Sequence, residues 1–155
     1  QDNEISWIDW SLLKKNKELF EFFKFMIAYR KKHPVIRKKL DNAVCGMEGM
    51  HAHDVNADRM EVSQNAKTLA VSFAGYDRKK CKDDLVYVAV NAYWEEVRIT
   101  LPNLANHGAW YLSVDTYGDE NGKYCYEEGE EIRIDHEYVM KPRSIVVFTG
   151  RQVLR

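Results

Sequence analysis

Cys45, His51 and His53 place three metal-ligand side chains in one short stretch, the first point in the chain where chemistry can be sought. A structural zinc site needs four such ligands at set spacings, and no fourth ligand follows here at any of them. The cluster predicts no metal site, and nothing else in the chain calls for a cofactor. Nucleophilic catalysis has no better support: there is no GxSxG turn, no Cys in a catalytic context and no glycine-rich phosphate loop. Acidic residues concentrate between Asp115 and Glu131. A retaining glycosidase needs two carboxyls about 5–5.5 Å apart on a rigid support, one ionised and one with a raised pKa. These acidic residues lie instead in turn sequence such as DENG, which reads as a solvated charged surface, so no catalytic residue is assigned.

Aromatic side chains are the remaining chemistry. Tyr and Trp faces stack on sugar rings, and their polar tips tolerate the wet edge of a site. Tyr93, Trp94, Trp110, Tyr111, Tyr117, Tyr124 and Tyr126 are the available set, with Trp94 and Trp110 the candidate stacking residues. Alternation along a strand sends neighbours to opposite faces, so at least half of the set is expected in the core or in sheet packing.

These side chains must be positioned by a β framework. From Lys67 onward the chain reads KTLAVSFAG, LVYVAVNAYW, EVRITLP, AWYLSVDT, GKYCYEEG, EEIRI and YVMKPRSIVVFTG, short runs rich in Val, Ile, Tyr and Phe separated by Gly, Pro, Asn and Asp. Strands at this spacing predict an antiparallel Greek-key β-sandwich. Leu85–Trp94 is almost continuously apolar and should lie centrally with both faces covered. Val97, Ile99 and Leu101 alternate with polar residues and should face water on one side. Asp77–Asp84 and Asp119–Gly122 are expected as charged turns, and Pro142 as an edge or bulge position. Residues 41–64 show no sustained period and are expected as a long loop or crossover.

Ahead of the sandwich, Leu12–Lys32 reads as one long helix, ended by Pro34, which itself suits the start of a short helical turn. Asp9, Ser11 and Asn16 are alternative caps for its start. Leu12, Leu19, Phe23, Met26 and Ile27 form one apolar stripe, while Phe20, Phe22, Phe25 and Tyr29 widen the arc beyond what a single contact needs. The helix is therefore expected to be covered from two sides. The sequence divides into 1–42, carrying the helix, and 43–155, the sandwich.

The sequence is 45% apolar and its net charge is −1 with signs interspersed, which gives no field for a nucleic acid backbone. No apolar run approaches a membrane span, so neither a nucleic acid nor a membrane is the expected partner. Cys45, Cys81 and Cys125 are odd in number and far apart, which predicts free thiols and a cytoplasmic location. The opening QDNEISWIDW lacks a starting Met and a signal-peptide pattern, and is expected to continue a longer polypeptide.

That opening, followed by a helix ending in YRKKHPVIR, resembles the end of the catalytic barrel in bacterial glycogen-debranching enzymes of the isoamylase and pullulanase type, in the α-amylase superfamily (glycoside hydrolase family 13). NAYWEEVRITLPNL, AWYLSVDT and YVMKPRSIVVF resemble strands of that family's C-terminal sandwich, so the likeness covers nearly the whole chain. The resemblance implies that Leu12–Lys32 is the last helix of a β/α barrel, placed between barrel and sandwich. The partner it implies is the upstream catalytic barrel of the same polypeptide, acting on the α-1,6 linkages of glycogen or a related α-glucan. The family's catalytic carboxylates all precede the region matched by QDN, so this chain alone is expected to be inactive. Asp2, Asn3 and Trp7 are implied to lie beside the substrate cleft, as is His53. Near His53 the chain departs from the family, with Asp54 in place of a Gly and Asp58 in place of a Trp. Two other readings stay open: a free-standing α-glucan-binding module using the strand aromatics, and a structural domain that self-associates through the helix.

Overall fold

The computed structural model describes residues 2–57, 59, 66–105 and 107–152. Two helices open the chain, α1 (Leu12–Lys15) and α2 (Lys17–Lys32), followed by a 3₁₀ turn at Pro34–Ile36. The single long helix expected from the sequence is thus broken at Asn16, whose backbone (φ −107°, ψ 33°) leaves the helical region. Neither Ser11 nor Asn16 caps with its side chain. Asp9 closes a turn just ahead of α1 instead, its carboxylate accepting the Ser11 N–H at 2.9 Å. The Ser11 hydroxyl, and after it this backbone N–H, hold the exposed Asp9 carboxyl below its usual range.

Among the described residues eight strands follow: β1 (Met50–His53), β2 (Thr68–Asp77), β3 (Lys82–Asn91), β4 (Val97–Thr100), β5 (Ala109–Asp115), β6 (Ile132–Ile134), β7 (Glu137–Met140) and β8 (Ser144–Arg151). Six form one antiparallel sheet in the order β1-β2-β3-β8-β5-β6, and β4 pairs with β7 in a second. β8 returns from the far end of the chain to lie between β3 and β5, the out-of-order neighbours of a Greek key rather than of a meander.

The centre of the larger sheet is buried on both faces, and alternation explains how. Leu85, Tyr87 and Ala89 of β3 point to one side and meet Trp110, Leu112, Val146 and Phe148, closed by Ile99 of β4 and Met140 of β7. Val86 and Val88 point to the other side with Val147 and Val114, and there they meet Tyr29, Val35 and the inner residues of α2. The architecture is a sandwich with a helical layer on its outer face. β3 therefore has both faces covered, as its apolar continuity requires. In β4, Ile99 is buried and Arg98 exposed, the one-sided pattern its alternation predicts. At Gly150 of β8 a Cβ would stand 2.8 Å from the Leu85 Cβ and 3.0 Å from the Trp110 ring, so the bare backbone is what lets the indole lie across the strand.

Four expectations are corrected. Residues 41–64 are not wholly irregular, because Met50–His53 pairs with β2 from Phe73 to Ala70. GKYCYEEG forms no strand; left-handed Gly122 and Gly129 pinch it, leaving one isolated bridge between Cys125 and Val114. The charged turn is shorter than Asp77–Asp84, since Asp83 and Asp84 already belong to β3. Pro142 is neither an edge nor a bulge residue within one strand: it lies where the chain leaves β7 in one sheet and enters β8 in the other.

Candidate functional site

α2 has two apolar faces, and they have different fates. Phe22, Phe25, Met26 and Tyr29 recur at helical spacing and pack on the outer face of the large sheet. Leu19, Phe20, Phe23 and Ile27 follow a second stripe, roughly 120° around at 100° per residue, and are each about half exposed. The sequence pattern assigned these faces the other way round. Most of the stripe read as core-facing points outward, and three of the four side chains read as widening the arc face the sheet.

The inner face is fixed by two polar anchors. Tyr29 O–H shares a hydrogen bond of 2.8 Å with Thr149 Oγ1, and Thr149 Oγ1 shares another of 2.8 Å with Ser113 Oγ. Burial pushes the Tyr29 phenol up, so it stays protonated. One turn later the buried His33 ring lies 4.4 Å from that of Tyr29 and puts Nδ1 2.6 Å from an Asp84 oxygen. The other Asp84 oxygen accepts the Val35 N–H at 3.0 Å. Pro34 forces this geometry: it ends α2, starts the 3₁₀ turn and turns the Val35 amide toward the sheet. Asp83, pointing to the opposite face of β3, accepts the Val44 and Cys45 N–H groups, each at 2.8 Å. Adjacent aspartates at the start of one strand thus tie two different segments to its two faces. Sequence reasoning missed both; the signal was two acidic residues directly before an unbroken apolar run.

The opening segment that leads into α2 adds further exposed apolar side chains. Ile5, Trp7, Ile8, Trp10, Leu12 and Leu13 are all exposed. Covering the exposed halves of Leu19, Phe20, Phe23 and Ile27 alone would contribute roughly 3–6 kcal/mol at about 1.5–3 kcal/mol per fully buried large side chain. Beyond α2, the same side of the large sheet continues in register as Leu69, Val90 and Ile145, with Leu69 and Ile145 exposed. An arrangement of this size and continuity is a surface for another folded body.

The predicted site residues do not come together. Asp2, Asn3 and Trp7 share one exposed turn, in which Trp7 Nε1–H donates to Asp2 Oδ1 at 2.6 Å and Asn3 Oδ1 accepts the Ile5 N–H at 3.2 Å. His53 is elsewhere and is buried at 1% exposure, its Nε2 2.9 Å from Ser72 Oγ and its ring 5.2 Å from that of Tyr87. The place beside a cleft implied for His53 is therefore corrected: the ring belongs to the sandwich core. Asp58, the companion departure, lies outside the described residues. Trp110 is likewise corrected as a sugar-stacking residue. Its indole is 2% exposed and donates to the Pro102 carbonyl at 2.7 Å, so neither ring face reaches a ligand. Trp94 is exposed, on the turn after β3. Cys45 packs on the core while His51 pairs with Glu48, and among the described residues no group of three His, Cys, Asp or Glu side chains is placed to hold a metal.

Three carboxyls of the acidic region are shifted away from the range of a general acid. Lys123 backbone and side-chain donors hold Asp119 and Glu130 below their usual range, and Lys32 does the same for Glu128. A proton donor at neutral pH needs the opposite shift. Asp115 is buried and serves the fold, accepting from Tyr138 O–H at 2.7 Å and from the Tyr117 N–H.

Comparison with known proteins adds to this geometry. The family model described as Isoamylase, C-terminal, matches residues 38–149. The isoamylase of Pseudomonas amyloderamosa is 24% identical over 115 residues, covering 74% of this chain and 15% of the relative. A protein of Mycobacterium tuberculosis (strain ATCC 25618 / H37Rv) described as a glycogen operon protein GlgX homolog is 46% identical over 39 residues, covering 25% of this chain and 5% of the relative. The chain thus spans at most 15% of the length of these relatives.

Proposed function

Since this chain belongs to the isoamylase C-terminal domain family, we propose that it is the C-terminal part of a glycogen-debranching enzyme that hydrolyses the α-1,6 branch linkages of glycogen or a related α-glucan. The observation that carries this reading is the divided helix α2: one face anchored to the sandwich through Tyr29 and His33, the other apolar and exposed. A catalytic barrel of the same polypeptide is the body that covers the outer face. On this reading residues 1–42 are the end of the barrel, 43–155 are the sandwich, and the turn holding Asp2, Asn3 and Trp7 borders the substrate cleft. The catalytic carboxylates lie upstream, and the chain on its own has a supporting role. Freed from its barrel, it self-associates through the exposed helix face. Its free thiols, Cys45, Cys81 and Cys125, suit a reducing cytoplasm. Among the described residues no helix is long and apolar enough to cross a membrane.

Release of linear glucan from glycogen tests the reading. A polypeptide that includes the region upstream of Gln1 releases such chains, and the 155-residue chain alone does not. Release by the chain alone, or an upstream reading frame that encodes no barrel, overturns it.

A further inference from the structure

Trp94 is two-thirds exposed, yet it stands on a turn held by four hydrogen bonds. Asn91, 1% exposed, organises that turn: its Nδ2 donates to the Glu95 carbonyl at 2.9 Å and to the Lys141 carbonyl at 3.0 Å, while its Oδ1 accepts the Tyr93 N–H at 3.0 Å. The Arg143 N–H closes the other side by donating to the Tyr93 carbonyl at 3.0 Å. Tyr93 is fixed in turn, with Lys67 Nζ 3.6 Å from its ring centre and the Trp94 ring centre at 4.2 Å. A large aromatic exposed by accident is usually mobile; this one is presented, and a presented ring loses little freedom when it binds.

The surroundings select the ligand. Trp94 is flanked by exposed Glu95, Glu96, Lys67 and Arg143, with Glu96 ion-paired to Lys141. Protein interfaces are depleted of charge around their buried aromatics. A sugar needs the reverse: an apolar ring face for its C–H groups and polar groups around it for its hydroxyls. The position is also remote from the exposed face of α2. His33 is anchored at Asp84, near the first residue of β3, whereas Trp94 follows the last, about 30 Å along a ten-residue strand.

We infer that Trp94, backed by Tyr93 and Lys67, is an α-glucan-holding site on the sandwich, at the opposite end of β3 from the His33 anchor of α2. The choice of α-glucan rests on the debranching reading. A site of this kind holds a glucan chain on the sandwich through its ring faces and hydroxyls.

The test is a titration of the ¹⁵N-labelled 155-residue chain with maltoheptaose, followed by the four indole N–H resonances. The Trp94 resonance is expected to move saturably while that of the buried Trp110 does not, and Trp94→Ala should weaken binding about tenfold or more. The wild-type titration needs no variant to fold, and Trp94→Phe should retain part of the affinity. A Trp94 resonance that stays still, or an affinity unchanged in Trp94→Ala, overturns the inference. If that happens while the longer polypeptide still releases linear chains from glycogen, the site fails and the debranching reading stands. If the polypeptide releases none, the debranching reading fails on its own test.

Discussion

Replacing Asp84 by Ala should lower stability by about 3–5 kcal/mol, the cost of breaking a buried pair by removing one partner. The magnitude follows from what is stranded. His33 and Asp84 side chains are 7% and 5% exposed, so neither the imidazole Nδ1 left at 2.6 Å nor the Val35 N–H left at 3.0 Å can turn to water. Each unsatisfied group carries about 1–3 kcal/mol of desolvation. A domain has roughly 5–15 kcal/mol in total, so the loss is a large share, and at about 2–4 °C per kcal/mol for this size Tm should fall by about 6–20 °C. Asp84→Asn is the control: its amide oxygen still accepts from Val35, and it should recover a large part of the loss. Urea unfolding followed by tryptophan fluorescence measures both, with a lower midpoint and an unchanged slope expected for Asp84→Ala. A variant within about 0.5 kcal/mol of the parent would refute the reasoning, because that is the range of surface substitutions that touch nothing important.

Tyr29→Phe should cost about 1 kcal/mol by the same assay, since Thr149 keeps its bond to Ser113 and only one buried hydrogen bond is lost. Trp110→Ala should cost about 3–5 kcal/mol, as the loss of a fully buried aromatic from a packed core does. Burial pushes the Cys125 thiol from its ordinary 9.0 up to about 11, and Cys45 is shifted the same way. Between about pH 9 and 11 the unfolded chain therefore binds fewer protons at Cys125 than the folded one, so this group's contribution to stability falls as pH rises through that window. In iodoacetamide labelling at pH 8, exposed Cys81 should react well before Cys45 and Cys125, and equal rates would contradict the burial of the latter two.

The parts of the fold legible in the sequence are those where one neighbour relation is forced. LVYVAV admits only a strand covered on both faces, and β3 is that strand. α2 was legible as a helix with too much apolar surface, but periodicity gives angles around an axis, not which arc meets which body. Tertiary contact chose Phe22, Phe25 and Tyr29 for the sheet and left Leu19, Phe20 and Phe23 outside. β1 escaped notice because MHAH has no β-branched residue and owes its conformation to pairing with β2. GKYCYEEG erred in the opposite sense, its aromatics imitating a strand that flanking left-handed glycines prevent. Of the site candidates, Trp94 and Trp110 were indistinguishable by type. Parity within β5 sends Trp110 to the core and Tyr111 outward to Arg151, whereas Trp94 lies past the end of β3, where alternation no longer decides.

The central claim is that the outer face of α2 is the seat of a barrel belonging to the same polypeptide. Hydroxyl-radical footprinting of Trp10, Phe20 and Phe23 in the 155-residue chain, at a concentration that keeps it monomeric, and in the polypeptide extended upstream of Gln1 addresses it directly. All three are exposed in this chain and should label readily, and in the longer polypeptide they should be strongly protected while Trp94 is not. Equal labelling of Phe20 and Phe23 in the two would contradict the account.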